Sequence, residues 1–107
     1  MMVVATIEER LLGALRDVED PELTISIVDM GLIVDLAVAG GVVHVKITFT
    51  AMGCPAMDMI LDDVRARLLQ EPEVEEVRIE VVWHPIWTKD RLSEDGKAQM
   101  REWGISL

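Results

Sequence analysis

The feature that most constrains this chain is a pair of glycines set between two alternating apolar runs. Leu32, Val34, Leu36 and Val38 precede Gly40-Gly41, and Val43, Val45, Ile47 and Phe49 follow it. Period-two alternation puts one set of side chains on one face of a strand. A two-residue hairpin turn needs positive φ at its centre, which glycine adopts without a Cβ penalty. The pattern predicts strands over 32–38 and 42–50 joined as a hairpin. The turn also fixes the register, with Ala39 opposite Val42, Leu36 opposite Val45 and Val34 opposite Ile47. On the other face it sets Asp35 against Lys46, a favourable cross-strand pair.

Helical signals flank the hairpin. Thr6 and Glu9 form a capping box ahead of Ile7, Leu11, Leu12, Leu15 and Val18, which predicts a helix over 7–18. Asp20-Pro21-Glu22 stops it, because a residue before proline disfavours the α region. Residues 23–31 read as an irregular loop with a short helical turn, ending at Gly31. Pro55 suits the first position of a second helix, whose stripe is Met57, Ile60, Val64 and Leu68 and whose wet side pairs Asp63 with Arg67. That helix ends before Pro72. Val77, Ile79, Val81 and Trp83 alternate as a third strand. Thr88 and Ser93 read as N-caps, and a last helix over 94–103 should end at Gly104 as its C′ residue. The order is α-β-β-α-β-α, and every strand has one apolar face. The expected fold is α+β: a two-layer sandwich with a three-stranded sheet and helices on one face. The 107 residues suit a single domain over 1–107.

Charge and cysteine usage narrow the function. The formal net charge is −10, which argues against nucleic acid and against an anionic membrane surface. Residues 1–83 carry sixteen acidic and six basic side chains, whereas 84–107 carry four of each. The neutral C-terminal segment holds Trp87 and Trp103, and it reads either as a partner or self-association surface or as cover for the core. One cysteine excludes an intramolecular disulfide and a self-contained iron–sulfur site, which needs about four thiolates. No apolar run reaches the roughly 18 residues of a membrane span. The N-terminus lacks the pattern of a signal peptide, so the expected location is the cytoplasm.

Topology then focuses the chemistry. A strand–helix–strand crossover makes the second and third strands parallel. Three segments should therefore converge at one sheet edge: 20–31, 50–55 and 83–87. They carry Cys54, Thr50, the carboxylates Asp20, Glu22 and Asp29, and the imidazole of His84, with Thr48 close by. Cys54 precedes Pro55 and is the expected N-cap of the second helix, where backbone N–H groups and the helix dipole favour thiolate. The nearby carboxylates oppose that shift. Asp20 or Glu22, together with Thr50, should lie within one side-chain reach of Cys54. Each residue also has a plain reading: a lone cysteine as a small buried hydrophobe, Asp20 as a turn cap, His84 as a loop residue. His44 reads as surface, and Met52, Met57, Met59 and Met100 read as core filler.

Four blocks carry a resemblance. Asp20-Pro21-Glu22-Leu23, Ile27 to Ile33, Thr50 to Pro55 and Trp83 to Thr88 resemble the iron–sulfur cluster assembly family that includes SufT and PaaD, built on a DUF59-type domain. The tail from Trp87 to Ile105 is most similar to a PaaD branch, although the cysteine-rich tail typical of PaaD is absent here and Ile86 replaces the usual second proline. The resemblance implies a non-enzymatic factor that assembles or transfers iron–sulfur clusters or metal centres. Maturation of a phenylacetyl-CoA-type oxygenase is the implied role of the PaaD branch. The family cysteine maps to Cys54 and its acidic pair to Asp20 and Glu22. Because one thiolate cannot hold a cluster, Cys54 would be a shared or transient ligand for an iron–sulfur cluster or iron, with His84, Asp20 and Glu22 as weaker candidates. Further ligands would come from a client apo-protein, a scaffold protein or a second copy in a homodimer. Two other readings stand beside this one. The first is a thiol enzyme with Cys54 as nucleophile, His84 as base and Asp20 orienting it. The second is an adaptor that binds a partner through its C-terminal segment.

Overall fold

A computed structural model describes residues 6–21, 25–50, 56–102 and 104 of the chain. The elements run α1 (Ile7–Leu15), β1 (Ile33–Ala39), β2 (Val42–Ile47), α2 (Ala56–Leu69), β3 (Glu76–Val81), a short 3-10 turn (Lys89–Arg91) and α3 (Glu94–Glu102). The order and fold class are those expected from the sequence.

Thr6 caps α1 by accepting from the Glu9 N–H at 3.1 Å. The α-helix closes at Leu15, three residues before the expected end. Arg16, Asp17 and Val18 continue it as a tighter turn with i→i+3 bonds, which keeps Val18 buried.

The sheet order is β1-β2-β3, with β1 antiparallel and β3 parallel to β2. Gly40 and Gly41 both take positive φ, at 56° and 85°. The expected pairs Leu36–Val45, Ala39–Val42 and Asp35–Lys46 are present. The expected pair Val34–Ile47 is not, because a bulge between Ile33 and Asp35 sets Ile33 against Ile47. The bulge brings the Leu32 carbonyl opposite the Thr48 N–H at 2.8 Å, with both residues buried. β2 ends at Ile47 rather than Thr50, because β1 and β3 supply no ladder beyond that point. β3 likewise ends at Val81, two residues short of Trp83.

α1 and α2 pack against one another and against the sheet. Val43, Val45, Ile47 and Val77 from the sheet meet Leu11, Leu15, Ile60, Val64 and Leu68 from the helices. Full burial of each such side chain contributes roughly 1.5–3 kcal/mol. Arg67 reaches across to Asp17 at 3.0 Å and, one turn on in its own segment, to Glu71 at 3.9 Å rather than to the expected Asp63. The opposite sheet face carries Asp35, His44, Lys46, Arg78 and Glu80, all exposed.

The C-terminal segment is fastened to the loop before β1. Asp29 is the hub, its Oδ1 accepting from Arg16 at 2.9 Å and from the Ser93 hydroxyl at 2.8 Å. The Ser93 N–H also donates to the Asp29 carbonyl, and the Ser93 hydroxyl caps α3 by accepting from the Gly96 N–H. Leu92 and Met100 are buried in the core.

Candidate functional site

Of the three segments expected to converge, residues 48–50 and 83–87 line a cleft where β2 and β3 end, no described residue of 20–31 lines it, and 51–55 lie outside the described residues. Phe49, Trp83 and Trp87 wall it, and its volume is about 410 Å³. Phe49 and Trp83 stack at a tilt, with ring centroids 6.5 Å apart and planes at 48°. Trp87 is half-buried, and its indole N–H donates to the Met30 carbonyl at 2.6 Å, so the 83–87 segment is tied to the loop before β1. Thr50 and His84 line the cleft and are exposed. Ile86 follows the cis peptide between His84 and Pro85 and is 71% exposed, a large apolar side chain at the rim that periodicity gave no reason to single out.

Thr48 lines the same cleft. Its side-chain oxygen is fully buried and has no hydrogen-bond partner among the described residues. An unsatisfied buried hydroxyl costs about 1–3 kcal/mol, so a group of this kind is the sort retained where a ligand or water completes it.

Other expected site residues fall elsewhere. Asp29 is a structural hub, its carboxylate engaged by Arg16 and Ser93. Asp20 is half-buried beside the isolated bridge between Glu19 and Ser26, and its own N–H donates to the Ile25 carbonyl at 2.9 Å. It is not among the residues lining the cleft. Cys54, Glu22 and Trp103 lie outside the described residues, as do the expected N-cap contact of Cys54 and its distances to Asp20 and Thr50. Among the described residues no group of three His, Cys, Asp or Glu could hold a metal ion. No described helix is long and apolar enough to cross a membrane.

The two tail readings also separate. Trp87, Leu92 and Met100 pack against the core, so these residues cover it, whereas Ile86 of the same segment stays exposed.

Residues 8–81 match the family described as iron–sulfur cluster assembly protein. The chain belongs to that family. Its relatives include the Fe-S protein maturation auxiliary factor YitW of Bacillus subtilis, 40% identical over 85% of this chain and 90% of that protein. The Fe-S protein maturation auxiliary factor SufT of Staphylococcus aureus is 43% identical over 73% of this chain and 90% of its own length. A DUF59 domain structure from Bacillus anthracis superposes with a TM-score of 0.82, at 38% identity and 92% coverage of both chains. The PaaD likeness is present at lower identity. A putative 1,2-phenylacetyl-CoA epoxidase component of Escherichia coli is 30% identical over 90% of this chain, which spans 56% of it. The family members most similar here are thus named as maturation factors rather than enzymes. The SufT-like side of the resemblance is the stronger.

Proposed function

We propose that this protein assembles or hands on iron–sulfur clusters to client apo-proteins in the cytoplasm, with Cys54 as a shared or transient ligand. The observation that carries the reading is the cleft at the end of β2 and β3. It combines aromatic walls, the unsatisfied Thr48 hydroxyl, and the exposed Thr50 and His84, and Cys54 follows Thr50 by four residues. A cluster needs about four ligands, and this chain carries one thiol, so the cargo is held jointly with another protein. That arrangement suits transfer, because ligands can exchange one at a time. His84 can supply an imidazole from the cleft rim, and Asp20 and Glu22 can supply carboxylates. The exposed Ile86 and Trp83 give a client an apolar landing at the cleft. The similarity to a phenylacetyl-CoA epoxidase component makes an oxygenase of that type one client class.

The test is anaerobic reconstitution with iron and sulfide, with a small-molecule thiol present to complete the ligand set. The wild-type chain should develop broad visible charge-transfer absorbance that a chelator bleaches, and Cys54→Ser should not. Equal absorbance in both would overturn the assignment of Cys54.

A further inference from the structure

We propose that the chain dimerises through the outer edge of β3, with two copies pairing antiparallel about Ile79. This inference goes beyond the cluster-handling reading and does not depend on it.

β3 lies at the end of the sheet order, so one of its edges has no strand beside it among the described residues. The hydrogen-bond phase shows which groups face outward. The N–H groups of Glu76 and Val82 donate to carbonyls of Gly41 and Ile47, so even-numbered residues bond towards β2. Odd-numbered residues therefore point their N–H and C=O groups away. The Val77 carbonyl agrees with this phase, since it accepts from Arg65 at 2.5 Å. Both main-chain groups of Ile79 and of Val81 face outward.

The two sheet edges are not equivalent. β1 carries a bulge between Ile33 and Asp35, which bends an edge away from further pairing. β3 is regular in its ladder to β2 throughout. A groove of about 460 Å³ runs between its edge and α2, floored by Leu61, Ile79 and Val81. The rim carries Asp58, Asp62 and Arg65.

The occupant is fixed by complementarity. With Ile79 on the axis, Ile79 meets its own copy, and Val77 meets Val81 of the other chain twice. All are apolar and lie on the helix-covered face. On the open face Arg78 meets Glu80 of the second copy, and Glu80 meets Arg78. Both positions are exposed. The outward groups of Ile79 form a hydrogen-bonded pair in this register, and the Val77 carbonyl, which accepts from Arg65, offers its second lone pair to the Val81 N–H of the second copy. Centring on Arg78 or Glu80 instead would put like charges on the axis. Centring on Val77 would set Glu80 of each copy opposite Val74 and leave it without a charged partner. The self-complementary register is thus the Ile79 one, as an isologous interface requires. Because the strands run antiparallel, the two clefts sit at opposite ends of the joined sheet.

The test is sedimentation velocity across a concentration series, joined to amide exchange. The concentration series is set to detect a weak dimer, with a dissociation constant of about 50 µM. Glu80→Arg sets a guanidinium against that of Arg78 in the second copy and should weaken the dimer about tenfold or more, as should Arg78→Glu. The double variant restores both pairs and should recover the dimer. Amide exchange at Ile79 and Val81 should slow as concentration rises in the unaltered chain. That measurement decides the matter even if a charge variant fails to fold. A chain that stays monomeric up to about 500 µM, ten times the expected constant, would overturn the proposal. So would a dimer that Glu80→Arg leaves unchanged, or exchange at Ile79 and Val81 that ignores concentration.

Discussion

Replacing Gly31 with alanine should unfasten the C-terminal segment, and the structure gives the cost. Gly31 has φ +75°, and a Cβ built there would lie 2.2 Å from the Arg91 carbonyl oxygen, 2.7 Å from the Arg91 Cβ and 2.8 Å from its carbonyl carbon. These are main-chain atoms and a Cβ, so no flexible side-chain tip can move aside. The left-handed backbone itself costs an L-residue about 1–2 kcal/mol. Moving Arg91 away also loses its guanidinium bond to the Gly31 carbonyl, which spans 2.8 Å and is worth about 1 kcal/mol. The total is about 2–3 kcal/mol, with the steric displacement adding to it. Gly40 supplies the control. Its φ is +56°, and nothing lies within 4 Å of the added Cβ, so Gly40→Ala should cost only the backbone term of about 1–2 kcal/mol. Urea unfolding followed by linear extrapolation reads the difference, which should be at least about 1 kcal/mol, the lost hydrogen bond, with the steric displacement adding to it. Equal losses in the two variants would refute the claim that close approach, rather than φ, constrains Gly31.

Ser93→Ala removes both the α3 cap and the donor to Asp29, and should cost about 1–2 kcal/mol in the same assay. Ile60→Ala empties a fully buried site beneath the sheet and should cost about 2–5 kcal/mol without changing the slope of the urea transition. The Arg10 guanidinium beside Glu73 holds its carboxyl below the ordinary range, so this exposed pair contributes stability above the unfolded pKa and loses it as pH falls through the folded one; Arg10→Ala should flatten that acid limb of the stability profile slightly. Alkylation rate against pH should give Cys54 an apparent pKa below the ordinary thiol range, because α2 begins two residues later at Ala56; a value above that range would contradict a cap role.

The hairpin was legible because three independent signals coincide at Gly40-Gly41: turn chemistry, alternation and the Asp35–Lys46 charge pair. The bulge was not legible, because Leu32, Ile33 and Val34 are consecutive apolar residues that fit either phase of the strand. The parallel pairing of β3 followed from the connection through α2, and that placed Thr50 and His84 at the cleft. The fastening of the C-terminal segment left no local trace. Its bonds join Met30 to Trp87, Gly31 to Arg91 and Asp29 to Ser93 across about sixty residues, and in each pair a main-chain carbonyl that no motif records accepts one of them. Asp29 therefore reads in sequence as another acid at the site, while its role is to hold the loop and tail together. Thr48 shows the reverse case. Its hydroxyl was visible in the sequence, but only burial without a partner marks it out.

Passage of cluster from Cys54 to a client is tested most directly by anaerobic transfer to an apo iron–sulfur enzyme. Chain loaded with iron and sulfide is mixed with the apo-enzyme in the presence of a chelator that captures free iron, and recovery of enzyme activity is followed. Recovery is expected with the wild-type chain, and none above the iron-and-sulfide background with Cys54→Ser at matched protein concentration. Equal recovery with both chains would contradict the role given to Cys54.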